Sequence, residues 1–211
     1  MTSPTPAQTW GDISKVYAAS PTGFEVAGGF WIRPYDPTFN PAEDVDLDTD
    51  LHAASSGWTN LGYVSADGVQ IKVDDNTSPV EVWGGGEIAQ LRDKFAVEIT
   101  AELYQALDPK AWAAVIGEDW VSTAAATSST GARMQVSITP IMPGINTILI
   151  ESFYGDKYMR QIVPAAQRSS LDDLTLVHNK PLSLKPTWRT LQNQYGKHLI
   201  IHTDDGVTVS S

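Results

Sequence analysis

Four aspartates at alternate positions, Asp44, Asp46, Asp48 and Asp50, are the densest set of candidate ligands in this chain. Alternating oxygens open an EF-hand calcium loop, but that loop also needs Gly at its sixth position and Glu at its twelfth. Thr49 and Ser55 stand at those positions. The spacing therefore predicts a solvated acidic loop or a contact surface. His198 and His202 would face one way on a regular strand, yet two histidines without a third ligand make a poor zinc site. Glu98 and Glu102 suggest a carboxylate pair for hydrolysis. Four positions along a strand separate them by roughly 13 Å, beyond the ~5–9.5 Å of glycosidase pairs. Gly84, Gly85 and Gly86 lack the following Lys-Ser/Thr of a phosphate-binding loop. A bend or a close backbone approach at a contact suits them better, with Trp83 beside them as either core residue or interface anchor. No catalytic residue, metal site or cofactor site is predicted.

Those residues sit in a chain dominated by strand signals. Val69, Ile71 and Val73 alternate with Gln70 and Lys72, and Phe95, Val97, Ile99, Ala101 and Leu103 alternate with Glu98, Thr100 and Glu102. Such period-2 patterning marks a sheet with one buried and one wet face. The wet face reads as polar and mostly acidic, with Lys72 as an exception. The run Asp74-Asp75-Asn76-Thr77-Ser78-Pro79 reads as the turn between the two strands, followed by the glycine-rich break. Phe30 to Arg33 forms an early strand, and 35–57 a long polar insert that orders against a partner. Asp108 as cap, Pro109 at the first helical position and Gly117 just past the end delimit one short helix over 109–116. Residues 122–131 read as a low-complexity loop, and Met134, Val136 and Ile138 alternate with Gln135, Ser137 and Thr139. A hairpin turns at Gly155-Asp156, and further strands fall at 174–177, 182–184 and 198–202.

Composition narrows the class. The 211 residues suit one domain, here 21–203, between an N-terminal arm at 1–20 and a C-terminal tail at 204–211. The absence of cysteine excludes disulfides and thiolate chemistry, and fits a reducing compartment. No apolar run approaches the ~20 residues that cross a bilayer, and the first residues do not resemble a signal peptide. Against 14 basic residues stand 25 acidic ones, giving a net charge of −11. Nucleic-acid binders cluster Lys and Arg; this chain instead repels DNA. Seven tryptophans leave a sugar- or protein-binding β-sandwich module as the alternative reading.

The segment Leu61-Gly62-Tyr63-Val64-Ser65-Ala66-Asp67-Gly68-Val69, followed by Val82-Trp83-Gly84-Gly85, resembles the major tail (tail tube) proteins of long non-contractile-tailed bacteriophages. The order of early strand, long loop, Trp-Gly-Gly bend, strand and short helix fits that family, as does the Pro164-Ala165-Ala166 strand. The resemblance implies a mainly β, antiparallel β-sandwich or barrel with one short flanking helix and a long loop. It implies six copies per ring and rings stacked into a tube in the virion tail, assembled in the host bacterial cytoplasm. It further implies the tape measure protein in the lumen, tail terminator and distal tail proteins as partners, DNA passing without specific binding, and no membrane. Under it, Gln70, Lys72, Glu98, Thr100, Glu102, Gln135 and Ser137 are candidates for the lumen wall. Trp83, Gly84, Gly85, Gly86, Asp44, Asp46, Asp48 and Asp50 are candidates for contacts between subunits or rings.

Overall fold

Thr147-Ile148-Leu149-Ile150 and Ile162-Val163 lack polar alternation, the mark of strands covered on both faces. A computed structural model, which describes residues 15–20, 29–41, 44–45, 47, 49, 51 and 56–208, shows how that covering is achieved. Strands β1 (Phe30–Pro34), β2 (Thr59–Asn60), β3 (Val64–Glu81) and β4 (Glu87–Leu103) precede helix α1 (Pro109–Ile116). Strands β5 (Val121–Ala124), β6 (Arg133–Val136), β7 (Asn146–Tyr154), β8 (Lys157–Leu171), β9 (Pro186–Thr190) and β10 (Ile200–Asp204) follow. Eight form one antiparallel sheet in the order β2-β1-β7-β8-β9-β4-β3, with β10 also on β8, while β5 and β6 pair separately.

The large sheet curls on itself. On a flat sheet, β1 and β9 would lie three spacings, about 14 Å, apart. Instead Phe30 on β1 and Trp188 on β9, both fully buried, bring their ring centroids to 5.5 Å. Between the opposed halves lie Val97, Ile99, Ala101, Leu103, Ile148, Ile150, Val163 and Leu184, closed at one end by Trp112, Val115 and Ile116 of α1. A mainly antiparallel β-sandwich with one flanking helix results, as the family resemblance implies.

A second apolar cluster covers the outer face of β1, β7 and β8. Trp31, Leu149 and Ile162 point there, against Val45, Leu51 and Trp58. Val45 is buried as completely as a core residue, and burying such a side chain contributes roughly 1.5–3 kcal/mol. The described residues of the 35–57 insert thus dock on their own sheet, which corrects the expectation that the insert orders only against a partner.

Helix α1 matches its sequence signals. The Asp108 carboxylate accepts from the Lys110 amide at 2.9 Å, and Gly117 ends the helix at φ 100°, its amide donating to the Ala113 carbonyl. The β7–β8 hairpin turns with Gly155 at φ 61°, while among the described residues no non-glycine has positive φ, so the two-residue loop is of the type with Gly at its first central position.

Several expectations are corrected. The run Asp74 to Pro79 is not a turn but the middle of β3, paired residue by residue with β4. Pro79 is tolerated because β3 is an edge strand, where a missing amide costs no ladder bond if it faces outward. The reversal lies at Val82–Gly86, where the Val82 amide donates to the Gly86 carbonyl at 2.8 Å. Ser122 to Ala124 belong to β5 instead of a loop. Residues 174–177 form no strand and are exposed, and 182–184 contributes a single bridge, Leu184 to Leu103. Strand β9, which opens with a proline, was not anticipated.

Candidate self-association surface

The β3–β4 hairpin has two parts. At its base, β4 is sandwiched between β3 and β9, which pairs it at Glu98, Ile99 and Thr100. Among the described residues, β4 is paired from Glu87 to Val97 with β3 alone, and β3 has no partner on its other edge. The pair therefore extends past the body as an arm with both edges open. An isolated two-stranded ribbon is marginally stable in water, and an open edge invites pairing. Val73, Val82, Ile88 and Leu91 are exposed along this arm, and Trp83 at its tip is fully solvated. The choice left open for Trp83 is thereby narrowed, since it is not core. Gly84 and Gly85 take φ of 112° and 83°, conformations that favour glycine, which explains the glycine-rich tip.

On the polar face the register aligns side chains across strands. Gln70 lies opposite Thr100, and Lys72 opposite Glu98, which in turn lies opposite Arg189 of β9. The Lys72 ammonium sits 2.9 Å from Asp74 and 3.9 Å from Glu98, and its hydrogen bond to Asp74 holds its pKa above the ordinary lysine value. Thr100 and Thr187 share a hydroxyl hydrogen bond at 2.9 Å, and Ser183 donates to Glu102 at 2.6 Å. Five candidate wall residues, Gln70, Lys72, Glu98, Thr100 and Glu102, thus lie together on the β3–β4 pair. The face is not mostly acidic, however: Lys72 and Arg189 flank Glu98, so charges alternate across the strands. Gln135 and Ser137 do not join them. Gln135 belongs to β6 of the separate two-stranded sheet, and Ser137 lies just beyond it, its amide bonded to the Trp120 carbonyl.

The remaining candidates are dispersed. Asp44 accepts from the Asn40 amide at 2.7 Å, while Asp46, Asp48 and Asp50 lie outside the described residues. His198 bonds Thr190 at 2.8 Å and packs edge-on against Phe95, and burial pushes its pKa down. His202 approaches the Pro41 carbonyl instead. Among the described residues no three His, Cys, Asp or Glu side chains cluster as for a metal. Trp31, Trp58, Trp112 and Trp188 are buried, so they offer sugars no platform.

Sequence reasoning missed one polar site. Glu151 on β7 and Arg160 on β8, both nearly inaccessible, pair at 2.8 Å, with the Tyr158 hydroxyl also donating to Glu151. Burial and that bond raise the phenol pKa. Arg160 also donates to the Thr49 carbonyl at 3.1 Å, tying the insert to the sheet. A charged residue in each of two facing apolar strands was the available signal.

The fold is thus a curled antiparallel β-sandwich with an edge strand whose outer backbone groups no described residue pairs. The family model for phage tail tube proteins matches residues 34–205, and the chain belongs to that family. It is accordingly a structural protein of the bacteriophage tail. No curated protein matches the chain. One solved structure, the anti-feeding prophage tube-terminating cap determined by cryo-electron microscopy, is similar over 94% of this chain and 99% of that one. Its identity is 12% and its TM-score 0.41.

Proposed function

We propose that this chain is the tail tube subunit of a long non-contractile phage tail, assembling into hexameric rings that stack as the conduit for DNA ejection. Membership of the family supports this, and the observation that carries it is the outer edge of the 18-residue β3, which no described residue pairs. Pairing that edge with a neighbouring copy would supply the missing backbone partners, and repetition around an axis would close the ring. On this reading residues 21–203 are the ring-forming domain, with 1–20 and 204–211 as flanking arms. The face bearing Gln70, Lys72, Glu98, Thr100 and Glu102 lines the bore, along which the tape measure protein and later DNA lie. Trp83 with Gly84, Gly85 and Gly86 makes contacts between subunits or rings, as do the aspartates of the insert. Assembly takes place in the host cytoplasm, where terminator and distal tail proteins cap the tube.

The alternating charge of that face suits a conduit. Lys72 lies between the carboxylates of Asp74 and Glu98, and Arg189 stands in register with Glu98, so the two cations are separated by acid and form no basic cluster for phosphates. Charges act on DNA only within about a Debye length, ~8 Å at physiological salt.

Electron microscopy of the concentrated protein should show rings or tubes. Pro79 is compatible with β3 if its nitrogen points to the open edge, and Thr77 shares its parity. Thr77→Pro should therefore leave the monomer folded by circular dichroism and abolish tubes. A wild-type chain that stays solitary at every concentration and is missing from purified tails overturns the reading. Tubes that persist in Thr77→Pro overturn pairing through this edge.

A further inference from the structure

The Ser65-Ala66-Asp67-Gly68 segment interrupts the β3–β4 ladder. Between the pairs Val64–Leu103 and Val69–Ala101, five steps along β3 pass against two along β4. The surplus bulges out, with Gly68 at φ 69°. Beneath the bulge is a small cavity of about 20 Å³, bounded by Ser65, Asp67, Gln70, Thr100, Glu102 and Lys185. A site of roughly 10–15 Å³ already holds one water-sized occupant.

One wall of this cavity is unsatisfied. Ser65 is 6% exposed, and its hydroxyl oxygen, fully out of reach of solvent, has no hydrogen-bond partner. A buried hydroxyl that forfeits its hydrogen bond with water and gains none is destabilising, so an occupant is expected. The other groups are mainly oxygen acceptors. Asp67 brings a carboxylate from β3. Glu102 brings one from β4, with one oxygen engaged by Ser183. Gln70 and Thr100 add an amide and a hydroxyl. The single cation at the rim, Lys185, has its ammonium 3.6 Å from Asp172. Two carboxylates and neutral oxygens around a space for one small particle are hard-ligand chemistry, suited to calcium or magnesium.

We propose that this bulge holds a divalent cation, with Asp67 and Glu102 as charged ligands and Ser65 as a neutral one, clamping β3 to β4 where their ladder is broken. The site stands on one chain and does not depend on ring formation. A cation bound there stabilises the folded state by mass action.

The test is thermal unfolding and calorimetric titration of the full chain with calcium chloride, magnesium chloride or EDTA. Calcium or magnesium should raise the melting temperature of EDTA-treated protein, and Glu102→Gln and Ser65→Ala should each weaken binding at least tenfold. Glu118→Gln, on the exposed turn after α1, should bind as the wild type does. Should Glu102→Gln fail to fold, Asp67→Asn on the exposed bulge provides the same reading. No metal-dependent shift would mean that a water molecule fills the cavity, overturning the proposal. A shift equal in all variants would mean diffuse binding to an acidic protein, and would overturn it too.

Discussion

Arg160 illustrates what a single buried charge does in this sheet. Its guanidinium meets Glu151 inside the structure and reaches out to the Thr49 carbonyl. Arg160→Leu would leave the Glu151 carboxylate buried without its cation, with an expected loss of about 3–5 kcal/mol. Urea denaturation followed by tryptophan fluorescence measures this. Pairing Arg160→Leu with Glu151→Leu should recover much of the loss, because the stranded charge is then gone. If the single variant were as stable as wild type, the pair would contribute nothing. This site was hard to read in sequence because alternation reports which face a residue takes, not whether a charged residue there has found its partner. Asp67 was legible only as part of a motif, since the register slip that creates its cavity depends on how β3 aligns with β4.

Elements were legible where local chemistry and the fold agree. Asp108, Pro109 and Gly117 specify α1 within the helix itself, and Gly155 specifies the β7–β8 turn, so both were found at their true positions. The β3–β4 hairpin was found with its turn misplaced. Asp, Asn, Ser and Pro at 74–79 favour turns by local preference, but the partner strand overrides that preference, and the tip falls at the glycines. Strand β9 was hidden because its leading proline suggests a break, although a proline at the first strand position is permitted. At this scale the arm yields a prediction. Trp83 touches nothing that supports the fold, so Trp83→Ala should change stability by less than about 0.5 kcal/mol. If Trp83 anchors a neighbour, the variant should nonetheless form markedly fewer tubes, scored by sedimentation and microscopy. Undiminished tube yield would remove Trp83 from the contact.

For the whole molecule, alternation indicated a sheet with one buried face and the family resemblance implied the sandwich, but neither indicated the curl. Which strand neighbours which is a long-range matter: β1 joins the β7–β8 hairpin from more than a hundred residues away, and β4 reaches β9 across a similar stretch. The second cluster under Val45 and Leu51 was likewise invisible, because two apolar residues in an acidic insert leave no periodic trace. Net charge acts at this scale as well. Copies that each bear −11 repel as they approach, and salt screens that repulsion. Assembly should accelerate when sodium chloride is raised from about 10 mM, where the Debye length is roughly 30 Å, to about 150 mM, where it is ~8 Å. Light scattering follows this directly. A slower rate at higher salt would show that opposite-charge attraction governs the encounter.

With its nitrogen turned to the open edge, Pro79 gives the border of β3 a notch. Any strand laid along that border meets one rung where no amide hydrogen is offered, while the rungs around it offer theirs. Whatever its alignment, the incoming strand leaves one carbonyl unbonded at that rung. A single imino acid thus lowers the gain from pairing along this border, and it penalises the indiscriminate sheet growth that a bare edge otherwise encourages.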